Sequence, residues 1–170
     1  AEKVIIFIDE PILSALGSSS YLGVSGAETS RLLTELIDVI RSEGGIPGIH
    51  CCGNADWPLV INCGPDIINF DAYDYADTLA LYPGQFRAFL ERGGFLAWGA
   101  VPTSDAITCE NPGTIRMRFQ KSVEKLSAHV PGDLLFSNLL LTPSCGTGSR
   151  TIEETLKIFQ LLMRLKEEYA

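Results

Sequence analysis

The sequence lacks any apolar run approaching the ~20 residues that a membrane-spanning helix needs. Its longest runs, such as residues 4–8, are of strand length. It also lacks a basic excess. Thirteen Lys and Arg stand against 21 Asp and Glu, a net charge of −8. That argues against phosphate-backbone binding, which needs clustered Lys and Arg, so neither nucleic acid nor a membrane is expected as a partner. There is no low-complexity segment and no N-terminal signal pattern, since Ala1-Glu2-Lys3 runs straight into an apolar segment. Five cysteines are an odd number, and without a secretory signal they argue against a disulfide framework. Cytoplasmic thiols or metal ligands are expected instead. A start at Ala1 fits removal of an initiator Met or a cut from a longer chain, and the strand count below favours the cut.

What is present is an ordinary globular composition, 170 residues with 46% hydrophobic and 20% charged, the size of one domain. Residues 3–9 (Lys-Val-Ile-Ile-Phe-Ile-Asp) form a β-branched and aromatic run of the kind buried in parallel sheets. Residues 11–24 are rich in Gly and Ser and read as a loop, with Gly17-Ser18-Ser19-Ser20 its mobile part. Ser25 and Glu28 make a capping box for a helix whose stripe is Leu33, Leu36, Ile37 and Ile40, ended by Gly44-Gly45. The alternation repeats with strands near 46–52, 66–71, 95–101 and 134–142. Helices are expected near 55–62 and 79–92. A further helix is opened by Asn111 and Pro112, with the stripe Ile115, Phe119, Val123 and Leu126. The last opens at a Thr151/Glu154 capping box and carries Ile152, Leu156, Phe159 and Met163.

Five β-then-α units without a linker predict a single α/β domain with a parallel sheet. Two architectures compete. An open doubly wound sheet is satisfied by five strands. A (β/α)8 barrel of the TIM type takes eight strands and ~250 residues, so three units would be missing or supplied by another chain.

In parallel α/β folds ligands bind at the carboxyl ends of the strands. Those ends carry Asp9-Glu10-Pro11, His50-Cys51-Cys52-Gly53, Asp71-Ala72-Tyr73-Asp74, Pro102-Thr103-Ser104-Asp105 and Pro143-Ser144-Cys145-Gly146. His50 and Cys52, two apart on a strand, point to one face, while Cys51 points to the other. Cys145 ends a different strand and could add a thiolate, and Asp71 an oxygen. Imidazole with thiolates is a zinc-like donor set. The plainer alternative is that these are small buried residues, for free cysteine is among the most buried types. Asp9 either caps a turn or aims a carboxylate into a pocket, where it would suit an ammonium group. The segment Cys145-Gly146-Thr147-Gly148-Ser149-Arg150 lacks the Walker lysine and is not GxGxxG after a first strand, so it reads as a tight loop around Cys145. His129 reads as a helix-end or surface residue, Cys63 and Cys109 have no evident partner, and Trp57 and Trp98 read as packing residues.

Four pieces, in order across nearly the whole chain, carry a resemblance: Ile8-Asp9-Glu10-Pro11; His50-Cys51-Cys52; Asp66-Ile67-Ile68-Asn69-Phe70-Asp71; and Thr142-Pro143-Ser144-Cys145-Gly146, with Arg150 just after. Together they resemble the superfamily of cobalamin-independent methionine synthase and uroporphyrinogen decarboxylase, most of all the methionine synthase catalytic domain and related thiol methyltransferases. The resemblance covers the last five units of that family's TIM barrel. It implies zinc held by His50, Cys52 and Cys145. Asp71 would be a fourth, exchangeable ligand, one methylene shorter than the Glu that ends this strand in methionine synthases. It implies that Asp9 holds the amino group of a homocysteine-like substrate.

The implied activity is a zinc-dependent methyl transfer to a thiol, with Asp9 and Asp71 as catalytic residues. The donor would be a methyl-corrinoid protein or a folate. The corrinoid is favoured because the folate half of methionine synthases is absent, and the chain has no Asp-x-His-x-x-Gly corrinoid signature of its own. The uroporphyrinogen decarboxylase branch is disfavoured, because that chemistry uses no metal. The rival expectation is a non-catalytic metal- or partner-binding partial barrel that needs another chain or the missing units, and so associates, as a homo-oligomer among other arrangements.

Overall fold

The computed structural model describes residues 3–15 and 25–169. Five strands, β1 (Ile5–Asp9), β2 (Ile46–Cys51), β3 (Ile67–Phe70), β4 (Phe95–Val101) and β5 (Leu139–Pro143), form one sheet. Their spatial order is β1-β2-β3-β4-β5, and all four pairings are parallel. The order never reverses. A doubly wound sheet reverses at a switch point, whereas a uniform series of right-handed crossovers lays every helix on the same face. The helices are α1 (Gly26–Ser42), α2 (Trp57–Asn62), α3 (Ala72–Tyr75), α4 (Pro83–Glu91), α5 (Pro112–Ser127), α6 (Gly132–Ser137) and α7 (Ile152–Tyr169).

The core lies between the helices and one sheet face, where Ile49, Cys51, Ile68, Phe70, Leu96 and Trp98 alternate inward. A run of edge-on rings crosses it: Trp57–Phe70 at 5.9 Å, Phe70–Trp98 at 5.1 Å and Trp98–Phe119 at 6.1 Å between centroids. The indole N–H of Trp57 is satisfied by donation to Thr78 Oγ1 at 3.1 Å. The opposite face, set by register, carries Phe7, Asp9, Gly48, His50, Asn69, Ala97 and Thr142. Gly48 leaves room for the Phe7 ring there, since a Cβ would lie 2.5 Å from it.

Several boundaries depart from the sequence reading. The segment 134–142 is not a continuous strand. Pro131 opens α6, Leu135 packs into the core, and the strand starts only at Leu139. A short leucine run fits either element by periodicity. The helix expected from 79 begins at Pro83, because the ring of a proline pushes the preceding Tyr82 out of helical backbone, to φ −130° and ψ 49°. Ser25 caps α1 by accepting from the Glu28 N–H, but the Glu28 carboxylate turns to Arg31, so the expected box is half made. The Thr151/Glu154 box is complete. Of the 11–24 loop, Pro11–Ser14 is a 3-10 turn, and Gly17-Ser18-Ser19-Ser20 lies outside the described residues.

The stripe of α5 is buried as expected, but α7 turns the other way. Its buried residues are Ile158, Leu161 and Leu165, and Ile152, Leu156, Phe159 and Met163 are exposed. The helix therefore has two apolar faces, and only one meets this sheet. Helix α1 repeats this. Leu33 and Ile37 are buried, while Leu36 is exposed beside Leu32 and Val39. Strand β1, at the sheet edge, exposes Ile5, Ile6 and Phe7. Among the described residues, exposed apolar surface thus sits at both ends of the sheet.

Candidate metal centre

The register places Asp9, His50, Asn69 and Ala97 side by side across four strands. Just beyond the end of β2, the Cys52 Sγ lies 3.0 Å from His50 Nε2. Cys145, past the end of β5, brings its Sγ to 3.2 Å from that of Cys52. His50, Cys52 and Cys145 could hold a metal ion, each offering one ligand atom within 4.8 Å of the others, and they are the one such group among the described residues. His50 is buried, Cys145 half-buried and Cys52 exposed, so the cluster is anchored on one side and open on the other. An open pocket of about 480 Å³ lies over it, lined by Phe7, Asp9, Glu10, Thr142 and Gly146 besides the three donors. A groove of the same volume along α1 is apolar, lined by Ile12, Leu32, Leu33 and Leu36, and holds no such donor set.

The Cys145 segment is held from below. A bulge between Gly99 and Val101 shifts the register against β5. Gly99 allows it, because a Cβ there would collide with the Phe70 carbonyl oxygen and the Ser144 Cα. The Ser144 N–H donates to the Val101 carbonyl at 2.8 Å, and Ser144 Oγ accepts from the Thr103 N–H at 3.1 Å. Arg150 reaches back to Asp105 at 2.7 Å, closing the loop onto the end of β4.

The electrostatics suit a cation. Burial, then the bond to Cys145 and the negative charges of Cys145, Cys51 and Asp71, push the Cys52 thiol up to about 12. Two thiols this close resist ionising together unless a positive charge joins them. Cys51 faces the core, and burial pushes its thiol up as well. Burial raises the Asp71 carboxyl to about 6.

Asp71 lies on this rim but outside the three-residue group. Its carboxylate accepts from the Asp74 N–H at 3.1 Å and caps α3. At β1 it is Glu10, not Asp9, that caps the 3-10 turn, accepting from the Ile12 N–H at 3.0 Å. The Asp9 carboxylate is exposed on the pocket wall. His129 is exposed after α5, Cys63 is buried against Ser30, Cys109 is exposed, and both tryptophans are core residues. Sequence reasoning gave no role to Asn69 or Thr142. Asn69 Oδ1 lies 2.6 Å from His50 Nδ1, and its Nδ2 donates to the Ala97 carbonyl and to Thr142 Oγ1. The two-residue strand period puts Asn69 on the same face as Asp71, but its pairing with His50 depends on register.

Searches against protein-family models and curated proteins return no match for this chain. No helix among the described residues is long and apolar enough to cross a membrane.

Proposed function

We propose that the chain is the zinc-binding part of a methyltransferase that acts on a small, homocysteine-like thiol. The observation that supports this most directly is the Cys52–Cys145 pair, 3.2 Å apart with His50 Nε2 beside it, opening onto a carboxylate-edged pocket. Two sulfurs and one imidazole nitrogen match zinc's preferred donors and would leave such a metal room for a substrate sulfur. Zinc supplies one thing, a lowered pKa for the thiol, so that the nucleophilic thiolate is present at neutral pH. His50, Cys52 and Cys145 would hold the metal. Asp9, exposed on the pocket wall, binds the substrate ammonium and aims the sulfur. Asp71, at the rim, would be an exchangeable fourth donor. The methyl group comes from a methyl-corrinoid protein or a folate bound outside this chain.

The barrel reading belongs to the same proposal. A sequential parallel sheet with helices on one face, and apolar surface at both ends, is the arrangement expected of a (β/α)8 barrel wall that lacks three units. The test is elemental analysis of the purified chain beside a Cys145→Ser variant. About one zinc per chain, lost in the variant, is expected for a three-ligand site, and thiol methylation would follow the metal. Full zinc occupancy and full methyl transfer in Cys145→Ser would overturn the proposal.

The exposed faces of α1 and α7 favour a second reading, a metal-binding partial barrel that acts only once joined to further units. Methylation that appears only on mixing with a complementing chain would select it.

A further inference from the structure

The His50 ring nitrogens face different partners, and which one carries the proton decides which can bind a metal. Nδ1 lies 2.6 Å from Asn69 Oδ1, and Nε2 lies 3.0 Å from Cys52 Sγ. Amide orientation cannot be read from shape alone, but here the surroundings fix it. The Asn69 nitrogen lies 2.7 Å from the Ala97 carbonyl oxygen, which can only accept. Its second hydrogen goes to Thr142 Oγ1 at 2.9 Å. Turning the amide over would set oxygen against oxygen at Ala97. Oδ1 must therefore face His50, and Nδ1 must be the donor.

We infer that Asn69 is a positioning residue that locks His50 in one tautomer, with Nδ1–H bonded to Asn69 and the Nε2 lone pair presented to the cysteine pair. The constraint passes from β4 and β5 through Asn69 on β3 to His50 on β2, four consecutive strands of the sheet. An imidazole so held donates its outer N–H to an oxygen and offers the inner nitrogen as ligand, which orients the ring and raises its basicity. The link to metal affinity rests on the metal-site reading above; the tautomer stands without it.

The test is nitrogen NMR of the metal-free chain labelled at histidine, at a pH well above the ordinary imidazole pKa of about 6.5. Exposed His129 serves as the internal reference for an unconstrained ring. In the unsubstituted chain His50 is expected to show a pyrrole-type Nδ1 and a pyridine-type Nε2. A mixture like that of His129, or the reverse tautomer, overturns the inference. Asn69→Leu is expected to release the preference, and Thr142→Val, which leaves the Asn69–Ala97 bond that orients the amide, to retain it. Loss of the preference in both variants, or in neither, overturns it too. Zinc titration against a competing chelator should then show affinity about 10- to 100-fold weaker in Asn69→Leu and near the original in Thr142→Val. Should the unsubstituted chain bind no zinc, the metal reading fails while the NMR result still decides the role of Asn69.

Discussion

Cys52 and Cys145 stand 93 positions apart in the chain, yet their sulfur atoms lie 3.2 Å from each other above the ends of β2 and β5. Three parallel strand pairings intervene between those strands. The contact therefore reports on the sheet from β2 to β5, and disturbing any part of that span should reach it.

Metal binding should release protons. Burial, then the bond to Cys145, holds the Cys52 thiol up at about 12, so its sulfur is protonated in the metal-free chain near neutral pH and must be deprotonated to ligate. Calorimetry in buffers of different ionisation enthalpy should show the release of roughly one proton per zinc from Cys52. Affinity should rise with pH. Affinity independent of pH between 6 and 8 would count against thiolate ligation.

Gly99→Ala should damage both fold and site. The added methyl meets the Phe70 carbonyl and Ser144 backbone, and neither is free to move as a side chain end would be. Overpacking of this kind costs about 1–3 kcal/mol, readable in urea unfolding. Because the same bulge carries Ser144 and Cys145, metal affinity should fall as well.

Asp71 should give the metal-free chain a pH-dependent stability. Burial raises its carboxyl from 3.8 to about 6 in the folded chain. The folded state then binds more protons than the unfolded one between those values, so this contribution is fully present below about 4 and is lost as the pH rises through about 6. Asp71→Asn should flatten that part of a stability-against-pH curve measured by denaturant unfolding. An unchanged slope would remove the raised carboxyl from the account.

The outward faces of α1 and α7 should govern association. Leu36→Glu and Phe159→Glu change exposed positions, so each should alter stability by no more than about 0.5 kcal/mol while reducing self-association in sedimentation. Phe119→Ala, in the core, should cost about 3–5 kcal/mol. A chain that sediments as a single monomer at every concentration, and does not change with these substitutions, would separate those faces from assembly.

The sequence by itself determined the local and periodic features. β-branched runs, proline and asparagine helix starts and the glycine stop at Gly44 marked five βα units. The period of two put His50 and Cys52 on one face and Cys51 on the other. The stripe of α5 was legible because only one of its faces is apolar. Helix α7 was not, since two apolar stripes compete in its sequence and only packing decides which one meets the sheet. The 134–142 segment was ambiguous because its five leucines suit helix and strand alike. Tertiary structure alone decided the strand order, the approach of Cys145 to Cys52 and the capping role that draws Asp71 toward α3. It also decided the row that joins Ala97, Asn69 and His50. These are contacts between strands, set by register, and no spacing along the chain encodes register directly.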